Sequence, residues 1–80
     1  MATFENHILY YKPTCSFCTK VVRFMESAGI TCEMRNTLEE ANAQDLVAIG
    51  GKKQVPCLVI DGKALYESDD IIAYFAEQIA

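Results

Sequence analysis

No stretch of this 80-residue chain approaches the roughly 18 consecutive apolar residues that a membrane-spanning helix needs, although 51% of its residues are hydrophobic. Positive charge is also scarce. Seven Lys and Arg stand against eleven Asp and Glu, a net charge of −4, so the excess that binding to a phosphate backbone requires is missing. The opening residues, Met1-Ala2-Thr3-Phe4-Glu5-Asn6, carry neither the basic n-region nor the apolar h-region of an export signal, which makes the cytoplasm the expected compartment. Length is short too. A chain of this size buries only about 60–65% of the surface it exposes when unfolded, so residues 1–80 are expected to form a single domain around one core. With no linker, internal repeat or low-complexity segment, the expectation is a monomer with no nucleic-acid and no membrane partner.

What the sequence does have is cysteine, four in 80 residues: Cys15, Cys18, Cys32 and Cys57. Uneven spacing and the lack of an export signal argue against a disulfide scaffold. Cys15 and Cys18 form a single Cys-x-x-Cys, which reads either as a redox pair or as half of a zinc site completed by Cys32, Cys57 or His7. No second Cys-x-x-Cys exists, and the zinc reading is the weaker; no metal is expected. Cys32 and Cys57 fall among apolar residues of predicted strands and read as inert core thiols. His7 has no partner visible in the sequence and is assigned no role.

Hydrophobic periodicity orders the chain. His7–Tyr11 is β-prone and ends at Lys12-Pro13-Thr14. Cys18, Val21, Val22, Met25 and Ala28 then recur at three and four, predicting a helix over about Ser16–Ala28 with Gly29 as its left-handed cap. Ile30–Arg35 alternates as a half-buried strand. Asn36 or Thr37 is positioned to cap a second helix with Leu38, Ala41, Leu46 and Ile49 inward, terminated by Gly50-Gly51. Val55–Ile60 and Lys63–Tyr66 flank Asp61-Gly62 as a hairpin. Ser68 is the expected cap of a last helix with Asp69 and Asp70 in its first turn and an apolar stripe of Ile71, Ile72, Phe75 and Ile79. The order β-α-β-α-β-β-α predicts an α/β fold with a four-stranded mixed sheet flanked by helices. A Cys-x-x-Cys beside a βαβ pattern reads as a thioredoxin-like redox motif.

Thiol–disulfide exchange needs a thiolate near neutral pH, and an ordinary cysteine, with a pKa near 8.5, supplies only a small part of it. Cys15 falls where the first helix begins, so its sulfur can accept hydrogen bonds from the free amides of Phe17 and Cys18 and feel the helix dipole. Lys12 adds positive charge nearby. Cys18 lies one turn further in, close enough to form a disulfide with Cys15 but more shielded, as befits a resolving thiol.

From Ile8 to about Ala76 the chain resembles the glutaredoxins. Tyr11-Lys12-Pro13-Thr14-Cys15-Ser16-Phe17-Cys18 is similar to their active-site segment, Val55-Pro56 to their cis-proline motif, and Ser68-Asp69-Asp70 to the segment that holds the γ-glutamyl end of glutathione. The resemblance implies a thioredoxin-like fold, Cys15 and Cys18 as catalytic thiols, and a glutathione site. In that site Lys12 would meet the glycine carboxylate, Val55 beside cis-Pro56 would pair its backbone with the cysteinyl part, and Ser68 with Asp69 would take the γ-glutamyl carboxylate and amine. Glutaredoxins commonly carry proline where Ser16 stands and Gly-Gly where Tyr66-Glu67 stands. Glu67-Ser68 instead resembles the thioredoxin-like N-terminal half of glutathione transferases, the weaker of the two likenesses by sequence.

The leading expectation is a glutathione-dependent oxidoreductase whose partners are glutathione and proteins bearing disulfides or glutathione mixed disulfides. Two alternatives are a dithiol donor recharged by a flavoprotein reductase and a carrier of a [2Fe–2S] cluster ligated through Cys15 and glutathione.

Overall fold

Strand β1 (Ala2–Tyr11) runs through the middle of the molecule and sends alternate side chains to two different cores. Leu9 and Tyr10, adjacent in sequence and both fully buried, mark the two faces. The computed structural model describes residues 2–80 and arranges seven elements as β1, α1 (Ser16–Ala28), β2 (Ile30–Asn36), α2 (Glu40–Gly50), β3 (Cys57–Ile60), β4 (Lys63–Tyr66) and α3 (Ser68–Ile79). Sheet order is β2-β1-β3-β4, with β1 and β2 parallel and the other pairs antiparallel. The expected thioredoxin-like architecture is therefore present. Its first half is the βαβ unit and its second the antiparallel hairpin.

One core packs Leu9, Leu58 and Ile30 of the sheet against Val21 and Met25 of α1 and Ile71 and Phe75 of α3. The opposite face packs Tyr10, Cys57 and Val59 against Leu46 of α2. The buried Tyr10 hydroxyl is satisfied by Arg35 Nη1 at 3.2 Å, and the same guanidinium reaches Asp45 of α2 at 3.6 Å. Covering both faces of the sheet draws on α1 and α3 on one side and α2 on the other, which is why α1 and α3 read as one-sided stripes.

Local chemistry sets the element ends. Gly29, at φ 69°, closes α1 by returning its amide to Met25 and Glu26, a left-handed conformation that costs glycine nothing. Asp61 and Gly62 both have positive φ, as the tight hairpin turn of type I′ demands.

Four expectations need correction. Strand β1 begins at Ala2, not His7. Glu5, Asn6 and His7 bulge out between the Phe4–Cys32 and Ile8–Glu33 pairs, with Asn6 at φ 61°, and the interrupted alternation conceals the strand's first half. His7 anchors that bulge, its Nδ1 donating to the Glu5 carbonyl and its Nε2 sharing a hydrogen bond with the Tyr74 hydroxyl, each at 2.7 Å. Helix α2 is capped by neither Asn36 nor Thr37. Asn36 instead accepts from the Leu38 amide, and Thr37, buried, donates its hydroxyl to the Tyr11 carbonyl. The helix starts at Glu40 and turns Ala43 and Leu46 inward, leaving Leu38 63% exposed and Ala41 and Ile49 outside the core. Third, β3 starts at Cys57, so Val55 and Pro56 form the loop that leads into it. Ser68 is the first residue of α3 and not its cap, a place taken by Glu67, and Ile79 at the helix end is exposed.

These placements separate two substitutions that the sequence alone would treat alike. Phe75→Ala removes a ring that is fully buried between both helices and β1, and is expected to cost about 3–5 kcal/mol of unfolding free energy. Leu38→Ser is expected to change it by less than about 0.5 kcal/mol. Urea midpoints of the two variants check both values.

Candidate functional site

Lys12 to Cys15 form a tight turn in which the Cys15 amide donates to the Lys12 carbonyl at 3.2 Å, with Pro13 at the position that favours its fixed φ. This turn delivers Cys15, in extended conformation, to the N-cap of α1. Its Sγ accepts the Cys18 amide hydrogen at 3.3 Å, taking up one of the four amides that a helix start leaves free. Of the two amides expected at this sulfur, Cys18 supplies the observed bond; the Phe17 amide makes none. Thr19 ties the cap down from below, its amide and hydroxyl both reaching the Cys15 carbonyl, at 3.0 and 3.1 Å.

The two thiols differ sharply in environment. Cys15 is partly exposed, whereas Cys18 is 1% exposed. Burial, reinforced by the hydrogen bond and the charge of Cys15 close by, pushes the Cys18 thiol up to about 12. Burial likewise pushes Cys32 up to about 11, and it raises Cys57 above its ordinary value. Cys57 is fully buried beneath Tyr66, and Cys32 is half-buried on the edge strand, in keeping with inert core thiols. No three His, Cys, Asp or Glu side chains among the described residues come together for a metal ion.

Beside the first turn of α1 lies a cleft of about 320 Å³ walled by Phe17, Gln54, Val55, Pro56, Glu67, Ser68 and Asp69. Four of the sequence-predicted residues, Val55, Pro56, Ser68 and Asp69, thus meet in one place although up to 14 positions apart in sequence. The Val55–Pro56 bond is cis, as expected. Pro56 is buried and Val55 half-buried at the cleft floor. Asp69 is ion-paired with Lys20 of α1, a contact between two exposed side chains that contributes little to stability. Lys12 does not line this cleft. It stands in a neighbouring hollow of about 110 Å³ with Lys53, Thr37 and Glu40.

Three cleft residues were not singled out as site residues from sequence. Phe17, between the two cysteines, is 63% exposed and forms one wall. Gln54 donates from Nε2 to Glu67 Oε1 at 3.0 Å. Glu67 itself sits at φ 74°, ψ 124°, a strained conformation for a side-chain-bearing residue. Its place just before Ser68 was the only sequence signal for it. Gln54 and Phe17 carried none beyond adjacency to Val55 and the cysteines.

Comparison with known proteins decides the family. Residues 9–80 match the family described as "Glutathione S-transferase, N-terminal domain". The chain belongs to that family. A hybrid peroxiredoxin of Haemophilus influenzae, hyPrx5, is 32% identical over 72 residues, which are 90% of this chain and 30% of the relative. The glutathione transferase Omega 3C of Trametes versicolor superposes with a TM-score of 0.81 at 24% identity, over 94% of this chain and 34% of that one. A buckwheat glutaredoxin, solved as a complex with glutathione, superposes with a TM-score of 0.70 at 18% identity, over 92% of this chain and 71% of its own. This chain therefore spans about a third of the peroxiredoxin and of the transferase. The glutaredoxin likeness read from sequence and the transferase likeness are both present, and the thioredoxin-like fold is common to them.

Two measurements follow from the burial of the thiols. In the native protein, iodoacetamide near pH 8 is expected to modify Cys15 first and to reach Cys18 and Cys57 only after unfolding, as peptide mass mapping would show. Cys18, pushed by burial from its ordinary value up to about 12, favours the fold as the neutral thiol. Its contribution is complete below about pH 9 and is lost as the pH climbs toward 12. Stability should therefore fall above pH 9, and the fall should be shallower in Cys18→Ala; equal slopes in the two proteins would remove Cys18 as its source.

Proposed function

We propose that the protein is a glutathione-dependent thiol–disulfide oxidoreductase that reduces protein disulfides and glutathione mixed disulfides. The observation that supports this most directly is the seating of Cys15: a partly exposed cysteine at a helix N-cap, its sulfur receiving the Cys18 amide, two residues before Phe17, which walls a cleft with Val55 and Pro56. The Cys18 amide donates to that sulfur and fixes it at the helix start. Phe17 and Pro56 give the cleft apolar walls for a cysteinyl side chain, and Ser68 stands at the start of α3, where free amides suit a carboxylate. Lys12, in the adjoining hollow, would meet the opposite end of glutathione.

In this reading the Cys15 thiolate attacks a mixed disulfide, taking up glutathione as its own disulfide and releasing the substrate thiolate, which gains a proton from water. A second glutathione then attacks the Cys15–glutathione disulfide, restoring Cys15 and leaving oxidised glutathione. For a protein disulfide, Cys18 gives up its proton and attacks the Cys15 sulfur, releasing the substrate and forming a Cys15–Cys18 disulfide that two glutathiones reduce. Cys18 is buried, so it stays a neutral thiol until a disulfide at Cys15 draws its attack. A reducing compartment such as the cytoplasm, the expected location, suits this role.

A [2Fe–2S] cluster would need four sulfur ligands. The described residues bring no such group together within one chain, so that reading requires Cys15 from two chains and two external thiols. Anaerobic reconstitution that leaves the protein colourless removes it.

The decisive experiment is a coupled assay of glutathione mixed-disulfide reduction. Cys15→Ser is expected to bring the rate down to the uncatalysed background, and Cys18→Ser to retain most of the activity. Equal loss in both variants, or recharging by a flavoprotein reductase but not by glutathione, would overturn the proposal. Lys12→Glu exchanges an attraction for a repulsion and is expected to raise the KM for a glutathionylated substrate by about fivefold, close to 1 kcal/mol.

A further inference from the structure

The two glycines that end α2 answer different demands. Gly51, at φ 83°, is the left-handed cap and is glycine for the sake of its backbone. Gly50 is still helical and has no such need, yet the molecule leaves no room for a side chain there: a Cβ built on it would overlap the hydroxyl of Tyr66 and lie 2.9 Å from the Cζ of that ring. Gly50 is the space into which Tyr66 reaches.

Tyr66 closes β4, pairs across the hairpin with Cys57 and packs against the core beneath α2. Burial raises its phenol above the ordinary value, so at neutral pH the hydroxyl keeps its proton and is a donor. It donates to the Lys52 carbonyl at 3.2 Å, and the Lys52 ammonium stands 4.4 Å from the centre of the ring. One residue on, Glu67 accepts from Gln54 at 3.0 Å. The connection from α2 to β3 has little else to hold it. Of the backbone hydrogen bonds outside helices and strands among the described residues, none involves residues 52–55. Yet this is the segment that carries Gln54 and Val55 to the cleft.

We propose that Tyr66 is a positioning residue for the cleft: from its seat over Gly50 it holds the Lys52 carbonyl, and through that carbonyl it sets where Gln54 and Val55 stand. The consequence for substrate binding rests on the oxidoreductase reading, whereas the lock on the loop does not.

Trypsin probes the lock directly, because the carbonyl that Tyr66 holds belongs to the peptide bond between Lys52 and Lys53, which the protease cuts only when the loop opens. Tyr66→Phe keeps the ring and deletes the donor, and losing one such bond should speed nicking at that site about three- to tenfold, as read by fragment mass. Gly50→Ala should also speed it, by pushing the hydroxyl out of its seat, although alanine is otherwise the better helix residue. Tyr74→Phe deletes an equivalent hydroxyl, bonded to His7 at the bulge of β1, and should leave nicking unchanged. In the glutathione mixed-disulfide assay Tyr66→Phe should raise KM about two- to threefold, since the fraction of loop in the binding position enters KM directly. Its kcat should hold, because Cys15 and α1 are untouched; a general loss of stability would lower the active fraction and with it kcat. Nicking of Tyr66→Phe or Gly50→Ala at the unaltered rate overturns the lock. Faster nicking with an unchanged KM, or with a fall in kcat alone, overturns its tie to the cleft. If the unaltered protein shows no mixed-disulfide activity, the oxidoreductase reading fails and the nicking rates still decide for or against the lock.

Discussion

The hydrogen bond from the Cys18 amide to the Cys15 sulfur is the contact on which the site depends, because it makes one atom both the cap of a helix and a partly exposed thiol. Sulfur is a weak acceptor, and serine, threonine or aspartate would cap α1 more firmly, by about 1 kcal/mol over a residue that cannot cap. The chain accepts a poorer helix start in exchange for a thiol with a permanent donor aimed at it. Other bonds offset the weak cap. Thr19 holds the Cys15 carbonyl twice, the Lys12 carbonyl holds the Cys15 amide, and α1 is pinned further along by Val21 and Met25 in the core. The helix cannot slide along its axis without emptying those pockets, so the sulfur stays where the turn puts it.

Helical geometry then makes the thiols unequal. Three residues turn the helix by about 300°, so Cys15 and Cys18 share one face of α1, the first at the helix end and the second a turn deeper, on the stripe that is buried. Cys18 shares that buried stripe with Val21 and Met25. Its desolvation is thus a consequence of the amphipathic pattern and needs no separate device. A buried neutral thiol thus stands one turn behind a partly exposed one, an asymmetry built into the helix itself.

How much of this was legible in the sequence varied with the source of order. The limits of α1, the hairpin and the parallel pairing of β1 with β2 followed from periodicity and turn residues, because there local preference and tertiary packing agree. Helix α2 misled because it is only weakly amphipathic: Leu38, Ala41 and Ile49 fit an apolar stripe in sequence, yet Thr37 is used to tie the end of β2 to Tyr11 of β1 and Asn36 to hold the Leu38 amide in a local turn, which delays the helix start to Glu40. Once the start moves, the face moves. The bulge at Glu5–His7 was hidden for a similar reason, since its stabilising partner, Tyr74, lies 67 positions away. Of the residues expected at the site from motifs, Val55, Pro56, Ser68 and Asp69 line one cleft, and Lys12 stands one hollow aside. Gln54 could not be found, because its contribution is a contact across the cleft to Glu67.

Glu67 shows what the motif-level view of the last helix misses. Ser68 looks like a cap by residue type, but capping needs the non-helical residue just before the first turn, and that residue is Glu67 at φ 74°. Glycine would hold that conformation without strain, and glutaredoxins commonly place a glycine pair there. A glutamate in such a backbone costs of order 1 kcal/mol or more, so its presence calls for a return that a glycine could not supply. That return is a carboxylate at the cleft wall, steadied by Gln54 at 3.0 Å and set one residue before the free amides of α3. Acceptor and donors then stand side by side at the same end of the cleft: the carboxylates of Glu67 and Asp69 suit an ammonium, and the helix start suits a carboxylate. Backbone strain at one residue is thereby tied to the placing of a carboxylate at the cleft wall, which a glycine in the same conformation could not supply.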